Sequence, residues 1–371
     1  MSRRLIVVAV LICSTQWAYA QKKNPYAKVD ADTRLDAIRH AQVWIPTDVA
    51  SMDMKAGPQD VKGWAPEATV TCDYVDRKVV STPKFYCAVP PDDEIKVKFG
   101  QDNGEVYGEV AASRLLWALG FGADRMYPVK VICQNCPENA VRSGKPVPGT
   151  RTFDPAAIER KMPGDTIEIS EDSGWGWGEL TFVDPSVGGA PKAQRDALAL
   201  LAAMIQHTDS KPAQQRLLCL DRQKGLPADP KGKCVHSFME LNDLGRTFGK
   251  ANAFNKDMPG SVNLKAWSSM TVWKDKKKCV ANMPRSFTGT LDSPVIGEPG
   301  RKFLADLLTQ LTDDQLRDLF EVSRFTRRDP DSTIDGWVSA FKQKRDEIAN
   351  AAVQIWPDNI LQILARAGRW P

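Results

Sequence analysis

Four short stretches carry residue types that could do chemistry. Lys96 and Lys98 sit two apart in Glu94-Ile95-Lys96-Val97-Lys98-Phe99-Gly100, so on a strand both face one side. Glu109 begins the clean part of an apolar helical period. His207-Thr208-Asp209-Ser210-Lys211-Pro212-Ala213-Gln214 follows a buried-looking run, and Asp243-Leu244-Gly245 ends another. Lysines neutralise anionic ligands, and carboxylates hold hard metal ions or accept protons. Each stretch also has an ordinary reading: edge-strand lysines that discourage aggregation, a first-turn acid favoured by the helix dipole, and two polar turns. A serine hydrolase is unsupported, because no Gly-x-Ser-x-Gly occurs and the 3 histidines are His40, His207 and His236.

The elements that must position these residues follow from periodicity. A short helical pattern runs from Thr33 to Val43, before Pro46 and the Gly57-Pro58 break. Residues 66–100 alternate like strands, and Asp102-Asn103-Gly104 signals a turn. Glu105 to Leu119 predicts a helix, with Val106, Val110, Leu115, Leu116 and Leu119 near 3.6 spacing and Gly120 as its stop. A strand pair and a Gly/Pro-rich connector near 143–150 come next. Ala193 to Ile205 predicts a buried helix running into His207. Strands are expected at 216–220 and 235–241, and helices at 301–323 and 333–354.

The chain has 371 residues, which allows two or three compact units or one large two-lobed enzyme. A hydrophobic share of 42% and a charged share of 26% are ordinary for globular proteins. The formal charge of +4 includes Arg3 and Arg4 of a removable leader, so a nucleic-acid partner is not expected. That leader reads as Arg3-Arg4, an apolar run from Leu5 to Cys13, and Ala18-Tyr19-Ala20 as the cleavage site before Gln21. No stretch approaches twenty apolar residues, so no transmembrane segment is expected. A periplasmic or secreted protein follows, cleaved after Ala20.

Cysteine usage agrees with export. Beyond Cys13 there are Cys72, Cys87, Cys133, Cys136, Cys219, Cys234 and Cys279, enough for three disulfides and one leftover thiol. Cys72 and Cys87 flank a hairpin-like stretch, and Cys219 and Cys234 flank a Pro/Gly/Lys-rich loop. Cys133 and Cys136 have redox-motif spacing but follow a strand-like run, whereas low thiol pKa values favour a helix N-terminus. A structural bridge is the expectation there, with Cys279 left unpaired.

The order of lysine on a strand, glutamate on a helix, His-x-Asp loop and Asp-x-Gly resembles the protein-kinase fold. It looks most like the atypical branch: HipA-type toxin kinases, phosphatidylinositol kinases and secretory-pathway casein kinases. The phrase Glu109-Val-Ala-Ala-Ser-Arg-Leu-Leu-Trp-Ala-Leu-Gly120 is similar to the helix-C region of that branch, and the likeness covers residues 85–250. It implies an α+β, two-lobed kinase-like fold, with a small strand-rich N-lobe carrying one main helix and a larger, mostly helical C-lobe. The boundaries would be a signal peptide at 1–20, an extension at 21–60, an N-lobe-like domain at 61–150 and a C-lobe-like domain at 151–371.

The resemblance also implies roles. Lys98, with Lys96 beside it, would neutralise the phosphates of ATP, and Glu109 would hold the lysine. Asp243 would bind Mg²⁺ or Mn²⁺, with Gln214 as a second metal ligand. Asp209 would accept the proton of a hydroxyl on a protein, sugar or lipid acceptor, with Lys211 near the transferred phosphate. The departures are Gln214 where a kinase has Asn, a long Asp209-to-Asp243 interval, and no clean glycine-rich loop before Lys98, since Gly57 and Gly63 are poorly spaced. Glu159-Arg160-Lys161 would fall at the lobe hinge. The periplasm holds little ATP, so a catalytically silent envelope protein used for ligand or partner binding is the alternative. Trp175-Gly-Trp177 reads as core or as a sugar-stacking pair, and Lys274-Asp-Lys-Lys-Lys278 as a solvated loop.

Overall fold

The computed structural model describes residues 24–351 apart from 80–81, 138–143, 172, 230, 250–260, 284–285 and 287–288. The expected signal peptide lies outside the described residues. The chain is mixed α+β. It opens with α1 (Ala31–His40), whose first turn is capped by the Asp30 side chain accepting from the Thr33 N–H.

Strands β1 (Thr69–Val75), β2 (Lys84–Val89) and β3 (Asp93–Phe99) follow, then helix α2 (Glu105–Ala118), β4 (Gly122–Ala123), β5 (Arg125–Gln134) and β6 (Thr150–Arg160). Five of these strands close a barrel in the order β1-β2-β3-β6-β5, sealed by parallel pairing of β1 with β5. Alternation explains its interior. Phe85, Ile95, Val97, Val129, Val131 and Ile158 point inward and are buried together, so Lys96 and Lys98 point to the opposite face of β3. Strand β6 starts at Thr150, where the sequence divides the chain, and pairs with both β3 and β5.

Helix α2 is buried at every position except Trp117, as befits a helix apolar almost all round. Gly120 ends it with φ +84, and a Cβ there would fall 2.1 Å from the Ile45 carbonyl oxygen. A second sheet, ordered β4-β9-β8-β7, contains β7 (Asp165–Thr166), β8 (Gln215–Cys219) and β9 (Ser237–Leu241). Helix α3 (Lys192–Met204) precedes β8, and α4 (Leu264–Ser269), β10 (Trp273–Asp275) and β11 (Val280–Ala281) follow β9.

The remaining helices are α5 (Glu298–Leu308), α6 (Asp313–Val322), α7 (Phe325–Arg328) and α8 (Ile334–Ala349). The single helix expected over 301–323 is therefore two. Thr312 accepts from the Gln315 N–H and restarts the helix, while the Gln315 amide donates to the carbonyls of Val49 (2.8 Å) and Met52 (2.9 Å). The apolar side of α2 shares one large core with α3, α5, α6 and α8, in which Phe320, Phe325, Trp267 and Trp337 pack ring on ring. Burying each such ring contributes roughly 1.5–3 kcal/mol.

Disulfides join Cys72 to Cys87, Cys133 to Cys136 and Cys219 to Cys234, and Cys279 is unpaired, the pairing expected from spacing. Trp175 and Trp177 are buried against each other, with 5.2 Å between ring centroids, and so belong to the core. No helix among the described residues is long and apolar enough to cross a membrane.

Candidate functional site

The fold brings the candidate residues of four distant stretches together. Lys98 leaves the outer face of β3 and is fully buried. Its Nζ lies 2.5 Å from Glu109 Oε2, 3.4 Å from Glu105 Oε2, 3.4 Å from Glu159 Oε2 and 3.8 Å from Asp243 Oδ1. Glu105 and Glu109 are one helical turn apart on α2, which is why both reach the same ammonium. Lys96 points the same way but is held by Glu159, whose Oε2 is 2.7 Å from its Nζ. Glu159 of β6, expected at a lobe hinge, is thus an ion-pair partner for both lysines.

Asp209 and Asp243 approach from the second sheet. Asp209 and Gln214 lie in the segment that enters β8, and Asp243 follows β9. The Gln214 carbonyl accepts from the Asn242 N–H at 2.9 Å and the Asp243 N–H at 3.4 Å, which ties the two segments together. Gln214, expected as a metal ligand, donates its amide to Asp209 Oδ2 at 3.1 Å, and Lys211 Nζ lies 3.4 Å from the same oxygen. Gly245 lets Asp243 come this close, since a Cβ at that position would fall 2.3 Å from Glu105 Cγ.

The electrostatics follow from burial and crowding. Burial opposes the charge on Lys98, but Asp243, Glu109, Glu105 and Glu159 outweigh it and hold the ammonium well above the ordinary lysine range. Burial likewise opposes ionisation of Asp243, yet Lys98, Lys96 and Lys84 pull its carboxyl well below the carboxylate range. Glu159, also buried, is drawn down to about 2 by Lys96 and Lys98. Glu109 moves the other way: burial dominates and pushes it up against the pull of Lys98. Burial pushes the His207 imidazole down to about 4, leaving it neutral.

A cleft of about 510 Å³ opens between the barrel and the second sheet. Lys96, Glu159, Arg160 and Tyr86 line one wall, and Ala213, Gln215, Arg216 and Asn242 the other. Lys98 and Asp243 lie beside it, each adjacent in chain or contact to a lining residue. Glu105, Glu109 and Asp243 place carboxylate oxygens within 4.8 Å of one another, a hard donor set suited to Mg²⁺ or Mn²⁺. The Lys98 ammonium already stands among them, so Asp243, whose side chain is 24% exposed, is the residue that would present an oxygen to such an ion.

Two features escaped the sequence reading. Lys84 stands on β2 directly opposite Lys98; the alternation of Lys-Phe-Tyr-Cys-Ala-Val puts it on the face opposite Phe85 and Cys87 of its own strand, and only the register sets that face beside Lys98. Arg216 of β8, in the cleft wall, donates to Asp124 and lies 3.0 Å from Glu240 Oε1 of β9. No sequence signal marks that trio. Gly57 and Gly63, the glycines nearest before Lys98, pack against the side chains of Arg114 and Tyr127 instead.

No family model matches this sequence, and no curated protein matches it. Among solved structures, the chain is similar to the Helicobacter pylori proinflammatory kinase CtkA, with a TM-score of 0.39 and 10% identity over 77% of this chain and 95% of that one. At that level of likeness nothing is transferred from the relative to this chain.

Proposed function

We propose that this protein is an exported, kinase-like phosphotransferase that uses ATP with Mg²⁺ or Mn²⁺ and acts on a hydroxyl of a protein, sugar or lipid. The observation that carries the reading is the Lys98–Glu109 ion pair between β3 and α2, with Asp243 Oδ1 3.8 Å from the same ammonium and the Asp209 segment tied to Asp243 through Gln214. On this reading the barrel with α2 is the smaller lobe, and the second sheet with its helices the larger.

Lys98 and its neighbours would counter the phosphate charge, and the metal held at Asp243 would neutralise charge developing on the transferred group. Asp209, oriented by the Gln214 amide, would accept the acceptor hydroxyl's proton. The three disulfides suit an oxidising compartment. The second reading, a silent kinase-like protein that binds a ligand or partner, draws on the enclosure of Lys98 by four carboxylates, which leaves it no exposed surface.

The test is a thermal-shift titration with ATP and either metal, followed by phosphate incorporation from labelled ATP. Metal-dependent stabilisation with incorporation supports the transferase. Stabilisation without incorporation moves the protein to the second reading. No shift at millimolar nucleotide removes both the nucleotide and the transferase.

A further inference from the structure

Three lysines face the same side of β2 and β3, but their partners differ. Lys98 has four carboxylates within 3.8 Å, and Lys96 has Glu159 at 2.7 Å. Lys84 has none within 4.0 Å among the described residues, although it is half-buried. It pairs in register with Lys98 across the two strands, and like charges directly opposite one another are an unfavourable pair. Nothing in the barrel needs that pair, since Phe85, Cys87, Ile95 and Val97 fill the interior from the other face. The chain therefore keeps a cation with unspent donors beside Asp243 and Lys98, at a cost that an arriving anion would offset.

We infer that Lys84 is the residue that directly contacts the phosphate tail of the ligand, while Lys98 acts as the organiser that gathers Glu105, Glu109, Glu159 and Asp243. This rests on the reading that the cleft takes a polyphosphate ligand, and it names a contact that reading did not contain. An ammonium on a flexible stem suits a phosphate oxygen as a point charge, without the planar geometry a guanidinium demands. Burial, then Lys96 and Lys98, push the Lys84 ammonium toward a lower pKa against a smaller upward pull from Glu105 and Asp243, and a bound anion would add to that pull. The same chemistry fits a nucleotide's phosphates or an inorganic polyphosphate.

Calorimetric titration of the full chain with ATP, inorganic tripolyphosphate and adenosine, each with Mg²⁺, separates these. Lys84→Met should weaken ATP and tripolyphosphate alike by about 10- to 100-fold, and Lys84→Arg should recover most of that loss. The exposed Lys274→Met serves as a charge-matched control with unchanged binding. Near-UV circular dichroism identical to wild type ensures that the folded state is compared. If wild type binds both anions and Lys84→Met binds them equally well, the Lys84 contact is wrong while the nucleotide reading stands. A loss confined to ATP also overturns it, because the contact would not be to phosphate. Tripolyphosphate binding that depends on Lys84, with no binding of ATP, keeps the contact and removes the nucleotide. A wild type that binds neither anion overturns both.

Discussion

Two buried charge clusters border one cleft, and they balance their charge differently. The first gathers Lys84, Lys96 and Lys98 with Glu105, Glu109, Glu159 and Asp243, and it leaves one lysine without a carboxylate partner. The second centres on Arg216, which donates to Asp124 and stands 3.0 Å from Glu240, while the Met162 N–H completes Asp124 at 2.8 Å; among the described residues the Glu240 oxygens accept no hydrogen bond. Each cluster holds one carboxylate more than its cations, four against three in the first and two against one in the second. In the second, burial resolves this by pushing Glu240 up to about 8, so at neutral pH it keeps its proton. The second cluster joins the end of β4 to β8 and β9, whereas the first keeps the unspent donors of Lys84.

The largest effect should come from breaking the proposed chemistry beside the first cluster. Asp209→Asn is expected to lower phosphate incorporation from labelled ATP by about 10²–10⁴-fold, the usual contribution of a positioned base, with nucleotide affinity within a few-fold of wild type. Equal incorporation by the variant would remove Asp209 from that role. The second cluster should answer through stability instead. Arg216→Met strands the buried Asp124 carboxylate beside a protonated Glu240 and is expected to cost about 3–5 kcal/mol in urea unfolding. A cost below about 1 kcal/mol would mean that the trio is not holding the three strands. Asp243→Ala should then separate metal from fold: the metal-dependent part of nucleotide stabilisation disappears, a loss of at most about 2.7 kcal/mol when wild type is assayed at 100 times its Kd. Full metal-dependent stabilisation in that variant would take the metal away from Asp243.

The contrast also marks what the sequence could tell. Helix α2 was legible because Val106, Val110, Leu115, Leu116 and Leu119 carry a clean period and Gly120 supplies the stop. The gathering of Lys98, Glu109, Asp209 and Asp243 was legible because four residue types stand in a telling order. The extra partners were not. Glu159 and Lys84 are single charges on strands, indistinguishable from a solvent face until the barrel turns that face toward Asp243. The Asp124–Arg216–Glu240 trio comes from three stretches with no motif, and only the register Gly122 to Glu240 and Arg216 to Glu240 joins them. The break within 301–323 was missed because the apolar period continues across it, while the Thr312 cap and the reach of Gln315 to the Val49 carbonyl are tertiary choices.

The smallest effect, and the one that compares the clusters most directly, is in pH. Glu240 rises from the ordinary 4.5 to about 8, chiefly through burial. A raised carboxyl contributes stability that is fully present below about pH 4.5 and is lost as pH climbs through about 8, because the folded state holds a proton the unfolded state has released. Glu159 has the opposite sign: drawn down to about 2, it contributes above about pH 4.5 and loses that contribution as pH falls toward 2. Glu109 shares the sign of Glu240, so wild type alone does not isolate the second cluster. The difference between wild type and Glu240→Gln does, since the amide cannot ionise and leaves Glu109 untouched. Urea unfolding at pH 5, 6.5 and 8 should show wild type declining relative to the variant by up to about 1.4 kcal/mol per pH unit, with the two near parity at pH 5. Parallel curves across that range would mean that Glu240 is ionised at neutral pH and that the second cluster carries an uncompensated negative charge after all.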